Sequence, residues 1–155
     1  MIAHAHPLQA AMRVAQSHEH KAAKALAESQ QRFVEQQNRL QQLLTFRSTY
    51  MDLFQTEGRT GISARRFQDY AVFLNNLDQG ITQSQRQLER LQQELWRQQQ
   101  AWRQTHAKTK ALEEVIERGR KEQLRREDYR EQKDSDERNL RQPSARLGLT
   151  DVDDA

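Results

Sequence analysis

From Phe67 onward the large apolar side chains fall at alternating steps of three and four. The sixteen positions so spaced are Phe67, Tyr70, Leu74, Leu77, Ile81, Ser84, Leu88, Leu91, Leu95, Gln98, Trp102, Thr105, Thr109, Leu112, Ile116 and Gly119, and eleven of them are large and apolar or aromatic. Gln, Arg, Glu and Lys fill most of the positions between. A narrow seam of this period is the signature of a coiled-coil helix. In the first half, Leu26, Phe33, Leu40 and Phe54 keep a seven-residue spacing that Arg47 interrupts. Leu43, Leu44, Tyr50, Met51 and Leu53 then widen the stripe, and a stripe wider than one seam leaves apolar surface that a single partner helix does not cover.

Between the two halves lie Gly58 and Gly61, the closest glycine pair in the chain. Each costs about 1 kcal/mol inside a helix, whereas glycine past a helix end is favoured. Ser63 suits an N-cap, although Arg66 stands where a capping box wants Glu or Gln. The pattern predicts helix one over roughly residues 8–55, a loop over roughly 56–63 and helix two over roughly 64–142, with Gly80 and Gly119 inside the helix. The fold class is all-α, a long antiparallel two-helix coiled-coil hairpin whose second helix is the longer. Facing residues would have numbers summing to about 120, which sets Leu40 near Ile81, Phe33 near Leu88 and Leu26 near Leu95. Beyond about residue 117 helix two would overhang, with only Leu124, Tyr129 and Leu140 as large apolar residues, and would fray alone or order on a partner. At roughly 75 residues helix two would reach about 110 Å, making the object a rod. Residues 1–7 and 143–155 read as disordered ends.

Composition supports long helices and little core. Hydrophobic residues are 35% of the chain, against roughly 45–50% apolar usage in ordinary domains. Both prolines, Pro7 and Pro143, sit at the ends, so nothing between them removes a ladder donor. With no cysteine, a disulfide framework and a thiolate metal site are excluded. No apolar run is long enough to span a bilayer, and the chain reads as soluble and cytoplasmic. The 25 basic and 22 acidic side chains are interspersed, which makes a nucleic-acid partner the weakest reading.

Chemistry is hard to find. His4 with His6, and His18 with His20, are two residues apart and so point to different faces of a helix, and no metal site is expected. No phosphate-binding glycine loop, nucleophile elbow or zinc-protease motif is present, so no catalytic residue, cofactor or small-molecule substrate is expected and the chain reads as no enzyme. Trp102 lies on the seam and reads as core, while Trp96 is one step off it and reads as seam cover or partner contact. Phe73 lies beside the seam and forms a row with Leu77, Gly80 and Ser84, matched on helix one by Leu43, Phe46 and Tyr50. These rows are either a thickened core that closes the hairpin or an exposed docking patch.

The segment LLTFRSTYMDLFQTEGRTGISARRFQDYAVFLNNLDQGI, followed by the tryptophan of QQAWRQ, resembles the flagellar export protein FliJ family over roughly residues 10–140. Tyr50, Gly61-Ile62, Tyr70, Phe73, Leu77, Ile81 and Trp102 carry the resemblance. It implies an antiparallel two-helix coiled coil shaped like the central stalk of rotary ATPases, a component of the flagellar type III export apparatus. Its partners would be the export ATPase hexamer, which receives the paired helix ends and holds the nucleotide, and the cytoplasmic domain of the export-gate membrane protein; export chaperones are further candidates. The chain would be a monomer when isolated, cytoplasmic and peripherally associated with the inner-membrane export apparatus. By resemblance the gate-docking residues are Leu43, Phe46, Tyr50, Phe73, Leu77, Gly80 and Ser84, with Arg39 at their edge. At Arg39, Phe46, Gly80 and Ser84 the chain departs from the family's Gln, Tyr, Ala and His, which keeps the apolar centre and alters the polar rim. Two alternatives stand beside this one: a self-associating structural coiled coil, which requires Gly58 and Gly61 to be helical, and the equivalent stalk of a virulence-type injectisome.

Overall fold

The computed structural model describes residues 7–147, and side chains from 7 to 141. Two helices account for it: α1, Gln9–Thr60, and α2, Ala64–Leu147. Both are packed chiefly through one stripe each. On α1 the half-buried or buried positions include a stripe, Ala15, Glu19, Ala22, Leu26, Ser29, Phe33, Gln36, Leu40, Leu43, Arg47, Tyr50, Phe54 and Glu57, again in steps of three and four. The heptad is thus complete on α1, but written partly in Ala, Ser, Gln and Arg, which hid it from an apolar count. On α2 every seam position from Tyr70 to Gly119 is buried or half-buried, whereas Phe67 is more than half exposed.

The chain forms two compact units. The unit Val14–Lys108 is an antiparallel hairpin. Its cross-contacts run from the loop outward: Glu57 to Arg66, Phe54 to Phe67 and Tyr70, Tyr50 to Phe73, Arg47 to Asp78, Gln36 to Ser84, Arg32 to Glu94 and Glu19 to His106. This register lies a few residues further along α2 than the expected one. Ile81 and Leu91 are buried in the seam. Arg47, the apparent interruption, keeps its aliphatic stem in the stripe and turns its guanidinium out to Asp78. Trp102 is half-buried and stacks on His106, ring centroids 4.9 Å apart at 11°.

The loop is shorter than the sequence suggested. Helix α1 continues to Thr60 instead of ending near residue 55, so Gly58 is helical and only residues 61–63 break the chain. Gly61 has φ +88°, the left-handed conformation that ends a helix and that other residues adopt at a cost. One such residue is enough to turn the chain, and the remaining helical bonds through Thr60 outweigh the penalty of a single glycine at 58. Ser63 caps α2: its Oγ accepts the Arg66 amide at 3.2 Å. Arg66, unsuited to a capping box, instead donates two hydrogen bonds of 2.7 Å to the Glu57 carboxylate on the last turn of α1. That fork closes the hairpin across its loop and holds the Glu57 carboxyl below the ordinary glutamate range.

The other unit takes the described residues 7–13 and 109–147. Within it Leu8, Met12, Leu112, Ile116 and Gly119 are half-buried and Thr109 is buried. From Arg120 through Arg141 every side chain is exposed, Leu124, Tyr129 and Leu140 included, which agrees with the expected overhang. Local ion pairs support this stretch, among them Arg120 on Glu117 and Arg126 on Glu122. Helix α2 runs to Leu147, past Pro143, where the sequence reading stopped it near 142. Proline removes its own ladder donor and crowds the preceding turn, and the helix continues through that cost. Residues 1–6 and 148–155, most of the ends read as disordered, lie outside the described residues.

Candidate docking face

Three neighbouring features build one side of the hairpin near its loop. Closest to the loop, Tyr50 of α1 packs on Phe73 of α2 with ring centroids 4.3 Å apart. Arg66, Asp69 and Tyr70 join them around a shallow recess of about 350 Å³. The Arg66 guanidinium lies 6.0 Å from the Tyr70 ring centre, so an ion-paired arginine and two tyrosines edge the recess.

Continuing that register away from the loop brings Phe46 level with Leu77, Leu43 with Gly80 and Arg39 with Ser84. Of the seven residues expected to dock a partner, Leu43, Gly80 and Ser84 line one recess and Tyr50 and Phe73 another. Their exposure differs. Phe46 is 54% and Phe73 39% exposed, while Leu43, Tyr50, Leu77 and Gly80 are half-buried. Ser84 is buried, 6% exposed, and its hydroxyl accepts a 2.8 Å hydrogen bond from Gln36 Nε2. It is a polar member of the seam that fixes register across the hairpin, since a buried Ser84 left unpaired would cost about 1–3 kcal/mol. Within the two rows Tyr50 packs on Phe73 across the hairpin, and Phe46 is exposed.

Further from the loop lies an open groove of about 1000 Å³. Leu43 and Gly80 line its apolar part, and Arg39, Arg86 and Arg90 bring charge to it. A Cβ added at Gly80 would meet no atom within 4 Å, so this glycine is not demanded by packing; it leaves the groove open. Arg86 and Arg90 escaped the sequence reading because nothing in a single sequence separates arginines that converge on a groove from those on a solvated face.

Elsewhere, Trp96 is 61% exposed, well outside the seam. Among the described residues no group of His, Cys, Asp or Glu has the arrangement to hold a metal ion, and no helix is long and apolar enough to cross a membrane. His18 and His20 are exposed on α1, and His4 and His6 lie outside the described residues.

No curated protein and no solved structure gives a match to the chain. The family model described as flagellar FliJ protein does match, over residues 4–148 and so over nearly the whole sequence, and the chain belongs to that family.

Proposed function

We propose that this flagellar export protein is a coiled-coil stalk that couples the export ATPase ring to the cytoplasmic domain of the export-gate membrane protein. In this reading the chain performs no catalytic step; the ATPase holds and hydrolyses the nucleotide. It works in the cytoplasm, at the inner-membrane export apparatus, and export chaperones are further cargo for its exposed helix. The observation that supports gate docking is the exposure of two aromatic residues near the loop end, Phe46 and Phe73, the latter packed on Tyr50. Exposed aromatic clusters of this kind are typical binding hot spots. The long exposed stretch from Arg120 to Arg141 supports a helix-in-groove contact at the other partner.

The self-associating coiled coil is less well supported. It needs an unbroken helix, and Gly61 breaks the chain while Tyr50, Phe54 and Glu57 find their partners within the same chain.

Binding of the purified chain to the gate's cytoplasmic domain and to the export ATPase tests the proposal. Phe46→Ala and Phe73→Ala should each weaken gate binding roughly tenfold, the scale of a hot-spot truncation. ATPase binding and helicity should stay as they are. Unchanged gate affinity would sink the docking role, and loss of helicity in both variants would make the rings core only.

A further inference from the structure

The seam of the hairpin unit changes character along its length. Between Phe33 and Phe54 the inward positions of α1 are mostly large and apolar, and on α2 Leu74, Leu77, Ile81, Leu88 and Leu91 are buried or half-buried. The Arg32–Glu94 and Glu19–His106 contacts bracket a different section. There the seam positions are Ala22, Leu26 and Ser29 on α1, with Leu95, Gln98, Trp102 and Thr105 on α2, and the large apolar ones are Leu26, Leu95 and Trp102. Ser29 is 0% exposed, and among the described residues its hydroxyl meets no hydrogen-bond partner. Ser84, the buried serine of the first section, is bonded to Gln36.

We infer that residues 22–29 of α1 with 95–106 of α2 form a built-in weak point of the hairpin, a section that opens locally while the pairing from Phe33 to the loop stays shut. The cost of a local opening rises with the apolar area it returns to water, and this section has little to return. A buried hydroxyl without a partner loses its bonds to water on closing and regains them when the helices part, so Ser29 biases the section toward opening. Beside the three apolar residues, the contacts that oppose opening are polar and partly exposed: the Glu19 carboxylate 2.6 Å from His106 Nδ1, and the His106 ring stacked on Trp102. Contacts of that kind contribute little to closure. Opening would bare Leu26, Leu95 and Trp102 together and leave the loop-side section intact. The inference rests on the seam alone and is independent of which partners the chain binds.

Native-state hydrogen exchange of the full chain, corrected for intrinsic amide rates, tests it. Amides of residues 22–29 should exchange at least about tenfold faster than those of residues 40–50, because the first set needs only the local opening. Ser29→Ala removes the unpaired hydroxyl and should slow the first set roughly tenfold while leaving the second unchanged. Ser17→Ala makes the same change at an exposed position of α1, measures what helix propensity alone contributes, and should slow exchange by less than about threefold. Gln98→Leu adds an apolar side chain to the seam of α2 and should slow the first set as well. Equal protection of the two sections in the native chain would overturn the inference, as would a Ser29→Ala effect no larger than that of Ser17→Ala. Slowing by Ser29→Ala that spread equally to residues 40–50 would overturn it too, since the hydroxyl would then weaken the whole hairpin and not one section.

Discussion

Helix α2 runs through two regions with the same stock of residues and opposite fates. Between Tyr70 and Lys108 its seam carries Ile81 and Leu91 into burial against α1. Between Arg120 and Arg141 every side chain is exposed. Both regions are rich in Arg, Glu and Gln, and both are helical, so propensity does not separate them. What separates them is whether apolar residues recur at every three or four positions. Where they do, a partner helix removes them from water at about 25 cal/mol per Å². Where they do not, local ion pairs worth a few tenths of a kcal/mol are the main support, and the helix is ready for a partner or for fraying.

Truncation in each region should give the largest contrast. Ile81→Ala removes buried atoms from the seam and should cost about 2–4 kcal/mol in urea unfolding followed by circular dichroism. Leu124→Ala, in the exposed region, should stay within about 0.5 kcal/mol. Equal losses at the two sites would break the comparison, since they would mean that Leu124 is packed in solution. Hydrogen exchange sharpens it at the backbone: amides around Ile81 should exchange far more slowly than those around Tyr129.

The two loop glycines make a smaller contrast of opposite sign. Gly61→Ala forces an alanine to φ +88° and should destabilise by about 1 kcal/mol. Gly58→Ala, in a helical position where a Cβ meets nothing within 4 Å, should stabilise by about 0.5–1 kcal/mol. Two losses would put Gly58 in the turn, where the sequence had placed it. Ser63→Ala should cost about 1 kcal/mol through the lost cap.

The smallest effect concerns pH. The Arg66 fork lowers the Glu57 pKa in the fold, so its stabilising contribution is present in full above the ordinary glutamate value of about 4.3 and is lost as pH falls through the lower folded value. The melting temperature of the native chain should accordingly exceed that of Glu57→Gln at neutral pH and converge on it in acid. A difference that persisted in acid would show that the carboxylate charge is not the source.

Much of the fold was legible because it depends on spacing. The seam from Tyr70 to Gly119 is written mostly in apolar side chains at period 3.5, and that spacing is enough to assign its inward face. The α1 seam was half legible: Ala15, Ala22, Ser29, Gln36 and Arg47 occupy inward positions that only a facing helix reveals. On the candidate face, the seven residues could be named, but not how they divide between core and solvent. Phe46 and Ser84 belong to the same candidate set, yet one is exposed and the other is sealed under Gln36.

The sequence by itself determined two long helices, an antiparallel return near Gly61, a seam along α2 and an unpaired polar stretch beyond it, because each is set by local periodicity or by one residue's backbone preference. Only the tertiary structure decided that Gly58 stays helical, that Arg66 reaches back to Glu57, that Gln36 bonds Ser84, and that Arg39, Arg86 and Arg90 converge on one groove. Those facts depend on the register of α1 against α2. Register is fixed by the summed packing of many side chains across the hairpin, and no residue read along its own helix carries that sum.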